Sequence, residues 1–158
     1  MTPATGGTGL DRAMVRLAAT LSLLAAALHA ALVEAHLQEW WGYGLFFVVA
    51  SVAQAGYGLL LFAMPSRPRW EAAAWRSWRR RLYAAGILGN LAVLGLYAVT
   101  RTVGIPWFGP AAGEVEDVGS LDLPTKAAEA LTVAFLAFLS WRAGREPVVP
   151  SAQRPAAS

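Results

Sequence analysis

Four stretches of apolar residues set the pattern of this chain, and the polar residues gather between them. The first runs from about Ala13 to Val33 and continues in helical phase toward Leu37. The second runs from about Tyr43 to Met64, the third from about Leu82 to Thr100, and the fourth from about Pro124 to Trp141. Proline suits the first turn of a helix, so Pro124 marks a start. A helix rises about 1.5 Å per residue, so about 20 apolar residues cross a hydrocarbon core about 30 Å thick. The pattern predicts an all-α polytopic membrane protein, with four transmembrane helices in an up-down bundle. Residues 1–9 are Gly/Thr-rich and the tail 143–158 is Pro/Ala/Ser-rich, so both read as unstructured flanks of a membrane domain over 10–142. No internal repeat is present.

Charge gives the bundle an orientation. Arg12 and Arg16 precede the first span. Arg67, Arg69, Arg76, Arg79, Arg80 and Arg81 lie between the second and third, and Arg142, Arg145 and Arg154 follow the fourth. Only Arg101 and Lys126 fall on the other side. Positive flanks stay in the cytoplasm, which predicts both ends inside. The acids reverse this bias: Glu34, Glu39, Glu114, Glu116, Asp117, Asp122 and Glu129 sit at the outer side, and Asp11, Glu71 and Glu146 at the inner. Tryptophans mark both interfaces, with Trp40, Trp41 and Trp107 outside and Trp70, Trp75, Trp78 and Trp141 inside. Span 1 also imitates a signal peptide, since Arg16 precedes an apolar run ending in Ala25-Ala26-Ala27. Its length favours a retained helix.

Composition narrows the chemistry. Apolar residues are 56% and charged residues 15%, against about 25% charged in a typical soluble domain. With no cysteine, thiolate metal sites, iron–sulfur clusters, disulfides and cysteine nucleophiles are excluded. The high calculated pI of about 9.8 does not imply nucleic acid, because the basic residues flank apolar spans, where they act as topology signals and anionic-lipid contacts. Arginine outnumbers lysine twelve to one, and Ala and Gly abound, which points to a GC-rich bacterial source and the bacterial cytoplasmic (inner) membrane. The Ser66–Arg81 connection reads either as an interfacial helix, with Trp70, Ala74 and Trp78 on one face over anionic lipid, or as a plain topology determinant.

Ionisable groups inside a span are costly and therefore functional suspects. Two qualify. His29 lies about 6 Å inside the outer end of span 1, and Glu129 about 7 Å inside that of span 4, at about 1.5 Å per residue. They meet if spans 1 and 4 pack together. His36 falls about 20° from the face of His29, Glu39 about 80° and Glu34 about 140°. The long connection 101–123 contains GIPWFGPAAGEVEDVGSLDL and reads as a folded cap, because long connections are uncommon unless functional or disordered. It adds Glu114, Glu116, Asp117 and Asp122.

Imidazole with carboxylate suits Zn, Mn, Fe or Cu(II). The metal-ligand candidates are His29, His36, Glu129, Glu116 and Asp122, at a spacing that matches no fixed metal motif. The same residues also read as a buried hydrogen-bonded pair, or as a proton or ligand site. Arg101 reads as the cation that pins the loop acids, or as an anchor for an anionic ligand. Gln54 and Asn90 read as amides bonding between helices near mid-membrane, with Ser51 and Tyr57 beside Gln54, and Gly86, Gly89 and Gly95 as points of close helix contact. The leading expectation is a non-enzymatic membrane protein with an outward-facing His/carboxylate site for a divalent metal or a proton, accessory to a larger complex. A metal-dependent membrane hydrolase or oxidase, and a purely structural or assembly subunit, are the alternatives. Expected partners are the bilayer, anionic lipid at the inner face, and a second copy or another membrane protein.

The segments EAHLQEWWGYGLFF, ASVAQAGYGLLLF and RTVGIPWFGPAAGEVEDVGSLDL resemble a group of small four-span bacterial membrane proteins. These carry a similar His-x6-His with a Trp-x-Tyr-Gly stretch and a similar outer loop before the last span. The resemblance covers roughly residues 29–132 and implies a four-span fold and the same outer face, without an activity. The Trp107-Phe108 pair after Pro106 departs from the smaller residue expected there.

Overall fold

The computed structural model describes residues 6–64 and 72–145. These form four α-helices: α1 Gly6–Glu39, α2 Trp41–Phe62, α3 Ala72–Thr102 and α4 Asp122–Gly144. Each is long and apolar enough to cross a membrane.

The buried positions of α1 are Val15, Ala18, Ala19, Ser22, Ala25, Ala26 and His29, a three- and four-residue spacing that keeps them on one stripe. Most are small, which lets neighbouring backbones approach. The large residues point the other way: Leu17, Leu24, Val49, Val52, Leu59, Leu88 and Leu131 are all exposed. Small residues inside and bulky apolar residues outside suit a bundle surrounded by lipid, whose tails are as apolar as leucine. In α4 the inward stripe is Thr125, Ala128, Glu129, Thr132, Leu136 and Leu139.

α1 packs against both α2 and α4, and α3 packs against α4. The turn from α1 to α2 passes through Trp40 alone, in an extended conformation. Hydroxyls tie these helices together. Ser22 donates to the Gln54 carbonyl at 2.7 Å, and Ser51 donates to the Ala26 carbonyl at 2.9 Å. The Tyr57 hydroxyl donates to the Leu82 carbonyl of α3 at 3.1 Å. At the far end of the bundle, Arg142 Nε meets Asp11 Oδ1 at 3.3 Å. The apolar core is built from Val15, Ala18, Ala19, Leu61, Leu82, Tyr83, Leu136 and Leu139.

Several elements differ from the sequence reading. α1 already includes Gly6–Gly9, and α4 continues through Gly144, so helix extends into both flanks read as unstructured. Residues 1–5 and 146–158 lie outside the described residues. α3 starts at Ala72, so the described part of the Ser66–Arg81 connection is the first turns of the same helix rather than a separate interfacial one. Nothing from Ala72 to Ala85 breaks a helix, since the first Gly is Gly86 and no Pro intervenes. Trp75 and Trp78 stack there, with ring centroids 5.1 Å apart. Trp70 lies outside the described residues.

Of the three glycines read as close contacts, only Gly86 has a neighbour, the Tyr57 hydroxyl; Gly89 and Gly95 face open space. α1 and α2 also approach closely at Gly58, where an added Cβ would stand 2.9 Å from the Leu23 side chain and 3.0 Å from the Ala19 carbonyl oxygen. In sequence, a glycine facing a helix and one facing lipid look alike.

Candidate functional site

The site lies at the end of the bundle that carries the 103–121 connection. Its centre is Glu129, completely buried on α4. His29 of α1, 2% exposed, places Nε2 at 2.7 Å from Glu129 Oε1. The Gln54 amide of α2 donates to the same oxygen at 3.1 Å. Lys126, one turn earlier on α4, donates to Oε2 at 2.7 Å. Three helices thus converge on one carboxylate.

Those contacts set the protonation pattern. Lys126 and the Gln54 amide are donors only toward Glu129, so the group is best satisfied as a carboxylate that accepts from all three neighbours. His29 then carries its hydrogen on Nε2 and keeps a lone pair on Nδ1 when neutral. That Nδ1 is buried and has no partner among the described residues, and neither has Gln54 Oε1. Leaving a buried polar atom unpaired costs about 1–3 kcal/mol, so His29 Nδ1 calls for a ligand or a bridging group.

His29 lines a cavity of about 460 Å³. Its apolar walls come from Leu32, Phe46, Phe47, Val93, Leu96 and Ile105, with Trp107 and Phe108 at the loop. The Phe47 ring contacts both imidazoles, at 5.6 Å from that of His29 and 4.1 Å from that of His36. His36 does line the cavity, but its Nδ1–H donates to the Leu32 carbonyl at 2.8 Å, one turn back on its own helix.

The loop closes one side of this cavity. Gly104, Gly109 and Gly113 take positive φ of 69°, 82° and 83°, a region that only glycine enters freely. Gly109 sits against the Tyr43 hydroxyl, leaving no room for a side chain. That hydroxyl donates to the Phe108 carbonyl at 3.0 Å and accepts from Ala111 N–H at 3.4 Å. Further back, Glu116 N–H donates to the Thr100 carbonyl at 3.1 Å. Arg101 bridges the loop acids: it pairs with Glu116, and its Nη2 donates to Asp122 Oδ2 at 2.8 Å. The Tyr97 ring lies beside both cations, its centroid 5.0 Å from Arg101 and 5.3 Å from Lys126.

The five residues read as metal ligands do not share one point. His29 and Glu129 meet. His36 is held by a backbone carbonyl, and Glu116 and Asp122 by Arg101. Among the described residues no three His, Asp or Glu side chains are grouped as a metal ion requires. Glu129 is further unsuited, because an ammonium and two N–H groups occupy its oxygens. Glu39, Glu34, Glu114 and Asp117 are exposed.

Of the two mid-span amides, Gln54 reaches α4, whereas Asn90 donates to the Gly86 carbonyl of its own helix at 2.8 Å. Sequence reasoning passed over Lys126, Tyr97 and Phe47 as site residues. Lys126 carried a signal, since its spacing of three from Glu129 puts both on one helix face. The two aromatics carried none.

No family model matches the chain, and neither the curated proteins nor the solved structures contain a significant match. What the fold defines is the class: an all-helical protein with four helices long and apolar enough to cross a membrane.

Proposed function

We propose that this chain is a non-enzymatic, multi-pass protein of the bacterial cytoplasmic membrane that binds a small ligand in the cavity beside His29. In this reading the helices form an up-down bundle with both ends in the cytoplasm, and the cavity faces outward. The arginine bias supports that orientation. One observation carries the ligand reading: His29 is buried and oriented by Glu129, has no partner for Nδ1, and lines a cavity of about 460 Å³. Small-ligand sites are typically apolar clefts of about 300–1,000 Å³ with a few placed polar groups. This cavity has that character.

The metal form of the His/carboxylate reading has less support, because the carboxylate at its centre is already neutralised by Lys126. Both forms are tested together. Purify the chain without a His tag from its own membrane, extract it with organic solvent for mass spectrometry, and quantify bound metal in parallel. A small molecule released from the wild type at near one per chain, and depleted in His29→Ala, is the expected result. Stoichiometric Zn, Mn, Fe or Cu that disappears in both His29→Ala and Glu129→Ala would replace it with the metal reading. Neither ligand nor metal would leave an assembly subunit held together by a His29–Glu129 bond.

A further inference from the structure

Much of the cavity lining is hydrocarbon. Phe46 and Phe47 of α2, Val93 and Leu96 of α3, and Leu32 of α1 all contribute to it. α2 packs on α1, and α3 on α4, but α2 and α3 do not form a packed pair. The Tyr57–Leu82 hydrogen bond links them ten residues beyond Phe47, about 15 Å along the helix. At the level of the cavity no such link joins them among the described residues. Both helices are apolar enough to lie in lipid, so a hydrocarbon chain has a way in from the bilayer between them.

The charged part of the lining is out of balance. Arg101, Lys126, Glu116 and Asp122 all line the cavity. Lys126 is neutralised by Glu129, which leaves one guanidinium, that of Arg101, against two carboxylates, Glu116 and Asp122. Each carboxylate gives the guanidinium one oxygen, Oε2 of Glu116 and Oδ2 of Asp122. Their second oxygens, Glu116 Oε1 and Asp122 Oδ1, accept no hydrogen bond among the described residues. Neither side chain is sealed off, at 44% and 13% exposed. The 103–121 connection adds exposed Glu114 and Asp117 and contains no Lys or Arg. A surface of one sign concentrates ions of the other, here cations. Tyr43, Trp107 and Phe108 complete the lining, and aromatic rings attract cationic headgroups.

We infer that the cavity binds an amphiphilic cation: an ammonium head on a hydrocarbon body. The hydrocarbon lies against Phe46, Phe47, Val93 and Leu96, and the ammonium sits by Glu116 and Asp122, where it supplies the missing positive charge. The inference rests on the ligand reading above and adds the charge of the ligand.

The probe is radiolabelled decyltrimethylammonium, titrated against the full chain in lipid nanodiscs, with uptake by empty nanodiscs subtracted. Decanol and decyl sulfate carry the same chain with no charge and with a negative one. The expected result is near one decyltrimethylammonium per chain, with both comparisons at least about fivefold weaker, the scale of one partly exposed ion pair. Glu116→Gln leaves the Arg101–Asp122 pair and removes the excess charge. It should weaken decyltrimethylammonium by about the same factor and leave decanol unchanged. Val93→Trp places a bulky ring in the apolar part of the cavity and should abolish binding while circular dichroism still reports a folded chain. If decyltrimethylammonium and decanol bind alike, or decyl sulfate binds tightest, the inferred cation is wrong while the ligand reading stands. Undiminished binding to Val93→Trp would place the cation outside the cavity and overturn the inference. So would the absence of uptake above empty nanodiscs for all three probes. The ligand reading falls with it only if the wild type also releases no small molecule on solvent extraction.

Discussion

His29 and Glu129 are 100 residues apart in the chain and 2.7 Å apart in space, both buried where α1 meets α4. Everything else at the site is arranged around that contact. Gln54 and Lys126 complete the carboxylate, Phe47 flanks the imidazole, and the loop folds over the cavity beside it.

Removing the carboxylate is expected to cost more than removing either neutral neighbour. Glu129→Ala strands Lys126 and His29 without an acceptor, and breaking a buried ion pair from one side typically costs about 3–5 kcal/mol. Glu129→Gln keeps one acceptor oxygen and should lose less. Gln54→Ala removes a single hydrogen bond, worth about 1 kcal/mol. Unfolding in mixed detergent–SDS micelles, followed by circular dichroism, should rank the variants in that order. Equal effects for Glu129→Ala and Gln54→Ala would count against a central role for the carboxylate.

The tautomer of His29 is a direct consequence of the geometry. Nitrogen-15 NMR of histidine-labelled protein should find neutral His29 with hydrogen on Nε2 and none on Nδ1. In Glu129→Leu the acceptor is gone, and the Nδ1–H form should gain population. His36 should show the opposite preference, because its Nδ1 donates to the Leu32 carbonyl. An Nδ1–H tautomer for His29 in the wild type would contradict the hydrogen-bond assignment.

Two glycines two residues apart should respond differently to the same change. At Gly58 a methyl group meets the Ala19 carbonyl oxygen at 3.0 Å, so Gly58→Ala pushes α1 and α2 apart at a cost of about 1–3 kcal/mol. At Gly56 nothing lies within 4 Å, so Gly56→Ala is neutral, or gains up to about 1 kcal/mol from helix propensity. The same unfolding assay compares them.

Tyr43 holds the loop through its hydroxyl. Tyr43→Phe keeps the ring contacts with Trp40 and Phe108 and deletes the bonds to the Phe108 carbonyl and the Ala111 N–H. Hydrogen exchange should quicken over residues 105–113, with a loss of about 1 kcal/mol of local protection. Exchange within α4 should be unaltered. No change over 105–113 would mean that the Arg101 pairs alone secure the loop.

The proposed orientation is open to a simple chemical test, because the chain has no cysteine of its own. A cysteine at exposed Val118 should react with a membrane-impermeant maleimide on intact spheroplasts. One at exposed Arg145 should react only after the membrane is opened. The reverse pattern would invert the bundle and turn the cavity toward the cytoplasm.

The sequence by itself determined the number and approximate place of the helices, because long apolar runs bounded by arginine, tryptophan, glycine and proline leave few other solutions. It also marked His29 and Glu129, since a charge-bearing group inside an apolar run stands out against its surroundings. Helical phase placed His36 near the face of His29, yet phase says nothing about what a side chain bonds, and His36 turned back to Leu32. The loop acids were visible as acids, but their commitment to Arg101 depends on how the Gly104, Gly109 and Gly113 turns fold the connection. Tertiary structure alone decided which helices touch, and therefore that Gln54 and Lys126 share one carboxylate with His29. It also decided which small residues face a neighbour: Gly58 does, and Gly89 and Gly95 do not. The reason is physical. In a helix surrounded by lipid, both faces are apolar, so the period that distinguishes inside from outside in a soluble protein fades, and only packing reveals which face is which.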